Sequence, residues 1–289
     1  MPDLTPRDVA AVIVLYRPDA QVMEHVAAFS GQLPRVFAVD NTEEPHAGFV
    51  ARLKEYGNVE YVPMGGNVGI AAALNRGIER AASEGFMWTL TMDQDSTPTD
   101  EMVTELVKAA NELDEEPPLG LITPTHVRED KKRPKAKPGC TQAFVPWTSG
   151  DLLSTAAWEA VGRFDESLFI DEVDHDLCLR MHQHGFAVLR SGSAHLLHRL
   201  GAPTTHRFPI RMRVSNHSPM RRYYMTRNVL VVADRYGEEF PKFRDNLIHE
   251  TRRGWLGVLL YEKQKLAKLT MMWRGYRDYK RGVMGPYSR

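Results

Sequence analysis

Val9-Ala10-Ala11-Val12-Ile13-Val14-Leu15 is the stretch that decides the fold. Seven apolar residues without alternation read as a strand buried on both faces, and such strands belong to parallel sheets covered by helices on either side. Arg17-Pro18 closes the run. Residues 19–31 follow with Val22, Val26 and Phe29 near helical spacing. A second strand over 36–39 ends in Asp40-Asn41, and a third over 59–62 stops at Pro63. Ile70, Ala73, Leu74 and Ile78 share one stripe, which predicts a helix over 69–82. A fourth strand, 86–92, runs into Asp93-Gln94-Asp95. A helix over 99–113, capped near Thr97 or Thr99, and a strand over 119–123 continue the alternation. The expected fold is α/β, a mostly parallel central sheet flanked by helices, with ligands at the carboxyl ends of the strands.

Beyond residue 125 the pattern loosens. Residues 126–139 form a loop that holds Lys131, Lys132, Arg133, Lys135 and Lys137; 155–161 and 169–183 read as helices and 186–189 as a short strand. From Arg207 onward aromatic and basic residues mix along helical stretches, over 220–234 and 245–276. We therefore expect a catalytic core over 1–206 and a basic helical annex over 207–289. Lys plus Arg and Asp plus Glu are each 37, so the net charge is zero. The annex nevertheless holds 19 basic and 7 acidic residues, a net of +12 against −12 for the rest. That asymmetry fits intramolecular complementarity, a second subunit (a homodimer) or peripheral contact with an anionic membrane surface. No nucleic-acid reading module is recognisable. With 43% hydrophobic and 26% charged residues the chain is neither disordered nor a disulfide-stapled miniature. Cys140 and Cys178 make no framework, and no export signal precedes Val9, so a cytoplasmic setting is expected, peripheral on the inner face of the membrane if the annex meets lipid.

Chemistry concentrates at the strand ends. Asp93-Gln94-Asp95 offers two carboxylates to a hard divalent cation whose remaining ligands a diphosphate can supply. Asp40 can accept hydrogen bonds from a ribose or base edge, or cap a turn with Asn41 and Thr42. Gly65-Gly66-Asn67-Val68-Gly69 permits close backbone approach at a helix start, where anions are favoured; a plain turn has the same composition. Asp171, Glu172, Asp174 and Asp176 crowd together, with Asp174 beside the Val173, Leu177, Met181 stripe and Asp176 four before Arg180. Zinc spacing, GxGxxG, GxxxxGK[ST] and GxSxG are all missing, which disfavours zinc, NAD, ATP hydrolysis and serine catalysis.

Taken together these segments resemble an inverting family-2 glycosyltransferase of the GT-A fold, nearest its bacterial dTDP-L-rhamnosyltransferase branch, over roughly residues 9–230. Residues 12–16, ending in Tyr16, are similar to the nucleobase-holding strand, and Val39-Asp40-Asn41 to the nucleotide-contacting strand end. The run from Asn67 through Gly69 and Asn75 to Gly77 resembles the helix that lines the donor pocket. The resemblance implies Asp93 on the donor diphosphate, Asp95 as metal ligand with His198, Asp174 as catalytic base, and Ser149-Gly150 as a pocket segment. Val173 stands where the family usually has Glu. Arg222-Tyr223-Tyr224-Met225-Thr226-Arg227-Asn228 resembles that branch's RYYxxRN segment and places Arg227 among the donor contacts. The implied reaction moves L-rhamnose from dTDP-L-rhamnose, with Mg2+ or Mn2+, to a saccharide or lipid-linked saccharide in cell-surface glycan synthesis. A UDP- or GDP-sugar transferase, a nucleotidyltransferase and a silent saccharide-binding module are the competing readings.

Overall fold

The computed structural model describes residues 4–128, 134–198, 204–206 and 212–288, apart from the side chains of 198, 204–206 and 213. In chain order the described elements are β1 (Val9–Leu15), α1 (Val22–Ser30), β2 (Arg35–Asp40), α2 (Ala47–Leu53), β3 (Val59–Pro63), α3 (Ile70–Ser83), β4 (Trp88–Asp93), β5 (Ser96–Pro98) and α4 (Met102–Asn111). There follow β6 (Leu119–Arg128), β7 (Cys140–Gln142), β8 (Asp151–Ser154), α5 (Thr155–Ala160), α6 (Val173–Gln183), β9 (Ala187–His198), β10 (Thr204–His206), β11 (Met212–Val214), α7 (Pro219–Tyr236), α8 (Pro241–Leu260) and α9 (Lys265–Lys280). They divide into two compact units, residues 1–166 with 174–199, and residues 167–173 with 200–289.

The first unit is built on a sheet of order β3-β2-β1-β4-β8-β6-β9-β5, with β7 paired to β9. Pairing is parallel from β3 to β4; β8 then enters antiparallel between β4 and β6. Every residue of β1 is buried, as its unbroken apolar run requires. Val9, Ala11, Ile13 and Leu15 join the core formed with α1 and α4. On the opposite face α3 lies so close that a Cβ on Gly77 would stand 2.3 Å from Val12 Cγ1. Only glycine permits that approach.

Tertiary pairing extends or trims several elements. The strand expected over 186–189 runs on to His198, because β6, β7 and β5 all pair with it. Thr99 does not cap α4, since its hydroxyl donates to His195 O at 3.2 Å. The helix expected from 169 begins only at Val173. Phe169, Asp171 and Glu172 have φ values of 66, 67 and 64°, which no α-helix accommodates.

In the second unit, α7, α8 and α9 surround a buried ionic trio. Glu262 pairs with Arg222 and, at 2.8 Å, with Lys268, whose Nζ also donates to Asn216 Oδ1 at 2.7 Å. Phe169, Tyr223, Tyr224 and Met271 form an apolar cluster beside it. Among the described residues no helix is long and apolar enough to cross a membrane.

Candidate active site

β1, β2 and β4 end level with one another: Leu15 pairs with Asp40 and Val14 with Asp93. Parallel strands bring their carboxyl ends to one edge, so acids far apart in sequence meet there. Asp40 is 1% exposed. Its Oδ1 accepts from Thr42 N and its Oδ2 from the Tyr61 hydroxyl, both at 2.9 Å. Burial first, and then the bond to Asp40, push the Tyr61 phenol up, which keeps it a donor. The carboxylate is thereby fixed in place, with lone pairs left over on both oxygens.

Tyr16 is half-exposed and donates its hydroxyl to Glu43 Oε1 at 3.2 Å. Its backbone is tied to the acidic turn by Gln94: Tyr16 N donates to Oε1 at 2.8 Å and Nε2 donates to Tyr16 O at 3.1 Å. His25 Nδ1 donates to Gln94 O at 2.6 Å. The spacer of the acidic triplet is therefore the residue that pins the turn. Asn41, next to Asp40, does the same for the glycine loop, donating to Gly69 O at 2.9 Å and accepting from Val68 N at 3.0 Å. Asn67 is exposed and accepts from Gly69 N at 3.1 Å, where φ is 94° at the start of α3. Neither Asn41 nor Gln94 carries a spacing signal that sequence reasoning could have used.

Asp93 donates its amide to Ser149 Oγ at 3.2 Å, and Ser149 Oγ donates to Ser96 Oγ at 2.9 Å. Asp95 is exposed and has no hydrogen-bond or ion-pair partner among the described residues. Among those residues there is no cluster of three or more His, Cys, Asp or Glu able to hold a metal. A single uncommitted carboxylate fits a hard cation that takes most of its oxygens from a diphosphate and water. The side chain of His198, the second expected metal ligand, lies outside the described residues, as does Gly201.

Asp174 sits in the first turn of α6, where Thr148 N donates to its Oδ2 at 3.3 Å. Its other oxygen has no partner among the described residues. The loop that reaches it is anchored to β4: Thr91 Oγ1 donates to Thr148 O at 2.6 Å and Gly150 N to Thr91 O at 2.7 Å. Gly150 has φ 87°, and a Cβ there would lie 2.7 Å from Pro124 Cγ. Glycine is thus required by conformation and by space. Asp176 is buried in an ion pair with Arg180 at 2.6 Å and belongs to the scaffold.

Asp151 was not singled out by sequence reasoning. It is 1% exposed, and its Oδ1 has no hydrogen-bond partner among the described residues. Burial, and then the charges of Asp174 and Asp93, push its carboxyl well above the usual range. A buried third acid stands within electrostatic reach of two expected site residues, yet nothing in Ser149-Gly150-Asp151 marks it as buried.

Two expected donor contacts, Asn75 and Arg227, are tied into internal hydrogen bonds. Asn75 donates to Phe164 O and Glu166 Oε1, both at 2.9 Å, and accepts from Trp158 Nε1 and Phe164 N. Arg227 is fully buried in the second unit. It donates to Asn228 Oδ1, Gly285 O, Ser167 O and Leu168 O. Asn228 adds bonds to the carbonyls of Leu168, Ile170 and Asp171. The Arg227-Asn228 pair thus clamps the positive-φ segment that runs into α6, with four of the five guanidinium N–H groups committed to it, to Asn228 and to Gly285.

A half-parallel sheet with an acidic turn at its carboxyl edge is the architecture of GT-A transferases, and comparison with solved structures bears this out. TarS 1-349 from S. aureus, in complex with UDP-GlcNAc, matches with a TM-score of 0.60 at 13% identity, over 95% of this chain and 81% of that one. GalNAc-T7 with UDP, GalNAc and Mn2+ matches with a TM-score of 0.60 at 12% identity, over 95% and 56%. Residues 20–160 match the family described as Glycosyl transferase family 2. It is 28% identical over 300 residues to the dTDP-rhamnosyl transferase RfbF of Shigella flexneri, covering 96% of this chain and 97% of the relative.

Proposed function

We propose that this family-2 enzyme transfers L-rhamnose from dTDP-L-rhamnose to a saccharide or lipid-linked saccharide acceptor in cell-surface glycan synthesis, with inversion at the anomeric carbon. The observation that carries the chemistry is Asp174, held through one oxygen by Thr148 N with the other uncommitted. That oxygen takes the proton of the acceptor hydroxyl as the hydroxyl oxygen bonds to the anomeric carbon. The bond from that carbon to the diphosphate breaks on the opposite face, so no enzyme nucleophile is needed. Asp95, with Asp93 beside it, would hold Mg2+ or Mn2+, which neutralises charge on the departing diphosphate. Asp40, Tyr16, Asn67 and Gly69 frame the nucleotide side, and Ser149-Gly150 the sugar side. The similarity to RfbF supports the choice of donor.

The test is a donor panel of dTDP-L-rhamnose, UDP-glucose, UDP-GlcNAc and GDP-mannose, with and without Mg2+ or Mn2+. Preferential turnover of dTDP-L-rhamnose, lost with the cation in Asp95→Ala, is expected. Exclusive turnover of a UDP- or GDP-sugar removes the rhamnose assignment; full activity of Asp95→Ala, or of native enzyme stripped by EDTA, removes the metal role.

The second unit supports peripheral contact with an anionic membrane. Trp255, Leu259, Leu266 and Trp273 are exposed, and so are Arg252, Arg253, Lys263 and Lys265. Each Lys or Arg near such a surface is worth about 1 kcal/mol. Co-sedimentation with anionic but not neutral vesicles, weakened by salt, is expected. No sedimentation at low salt, together with a stable homodimer, assigns the same surface to a second copy instead.

A further inference from the structure

A cavity of about 260 Å³ lies in the first unit, lined by Thr125, His126, Val145, Pro146, Trp147 and Arg190. Pockets for drug-sized ligands start at roughly 300 Å³, so this one has room for a single small ring. Its floor is set by the loop that reaches Asp174. Phe144 stacks on His182 of α6 with centroids 4.9 Å apart, and His182 Nε2 donates to Phe144 O at 2.7 Å. At the other end Ser149 and Gly150 are bonded to β4. Between these anchors Trp147 is 54% exposed. His126 meets the Trp147 ring edge-on at 5.5 Å and donates Nε2 to Ser149 O at 2.8 Å, which sets the indole's orientation. Arg190 is exposed, and its side chain has no hydrogen bond or ion pair among the described residues.

We propose that this cavity is a pyranose subsite for the acceptor, with Trp147 as the stacking platform and Arg190 and Thr125 as partners for ring hydroxyls. An indole offers a broad apolar face, and a pyranose offers a matching face of C–H bonds with hydroxyls around its rim. A guanidinium presents up to five donors in one plane, suited to vicinal hydroxyls. The placement follows from the chain itself: Trp147 is the immediate neighbour of Thr148, the residue bonded to Asp174. Consecutive Cα atoms are about 3.8 Å apart, so the backbone that carries the indole lies one residue from the amide bonded to that carboxylate. The buried Asp151 ties the two together electrically, since Arg190 lowers its pKa while Asp174 raises it. The inference rests on the transferase reading above.

The experiment uses the full chain, the nucleotide sugar selected by the donor panel, and methyl glycosides of glucose, galactose, mannose, rhamnose and N-acetylglucosamine as acceptors. At least one glycoside is expected to accept sugar saturably. Trp147→Ala should raise its KM about tenfold with a smaller change in kcat, because a lost aromatic stack is a loss of binding. Trp147→Phe should restore much of the affinity, and Arg190→Gln should raise KM without altering thermal stability. Saturable transfer with KM unmoved in both Trp147→Ala and Arg190→Gln overturns the subsite. So does an enzyme that hydrolyses its donor but accepts none of the glycosides. Failure to bind or hydrolyse any nucleotide sugar overturns the transferase reading itself, a distinct result.

Discussion

Asp174→Asn should slow sugar transfer by about 10²–10⁴-fold, the usual contribution of a positioned proton acceptor. The asparagine carbonyl can still accept from Thr148 N, so the loop over 144–150 should keep its place. What is lost is the ability to take a proton at the uncommitted oxygen. Donor dissociation constants measured by calorimetry should therefore stay near the native value while single-turnover rates fall. Weakened donor binding with an unchanged single-turnover rate would reverse the assignment and make Asp174 a donor ligand. Asp174→Glu is a useful companion. It keeps the chemistry and moves the oxygens by one methylene, so its loss reports on position alone.

Glu262→Ala should cost about 3–5 kcal/mol of stability, because it leaves Arg222 and Lys268 as two buried cations with no counter-charge. All three side chains are almost fully buried, so solvent screens the loss little. Burial alone would push the Glu262 carboxyl up, but Lys268 and Arg222 outweigh it and hold the carboxyl below its ordinary value of 4.5. A depressed acid contributes stability that is complete above its unfolded pKa and is lost as pH falls through the folded one. The gap between native and Glu262→Ala proteins should thus be constant from neutral pH down to about 5 and close below about 4.5. Denaturant unfolding followed by far-ultraviolet circular dichroism at several pH values measures this. A gap that does not depend on pH would show that the loss comes from packing and not from the ionic trio.

The contrast between these two acids shows how sequence and tertiary structure share the specification. Asp174 was legible as a candidate because it flanks an apolar stripe at helical spacing within a crowd of acids. Glu262 was not: its partners lie 40 and 6 residues away, and only the packing of α7 against α9 buries the group. Arg227 and Asn75 were legible as polar residues within a motif, but their hydrogen-bond partners were not. Those partners include the Glu166 carboxylate, the Trp158 indole and the Gly285 carbonyl, reached through hydrogen bonds that span 58 to 91 residues.

What the sequence determined by itself is whatever nearest-neighbour chemistry decides. An unbroken apolar run such as residues 9–15 can only be satisfied inside a sheet covered on both faces, and a 3.6-residue stripe such as Ile70 to Ile78 only on a helix. The ends of those parallel strands then place Asp40 and Asp93 on one edge without further information. Tertiary structure alone decided the rest. The start of α6 depends on three positive-φ residues in a segment whose carbonyls at Ser167, Leu168, Ile170 and Asp171 are held by Arg227 and Asn228, some 60 residues further along the chain. The twelve-residue length of β9 depends on pairing with three other strands. The burial of Asp151 and the exposure of Trp147 are set by packing between elements far apart in sequence. Such interactions leave no local period, because a hydrogen bond or a buried charge depends on distance in space and is indifferent to separation along the chain.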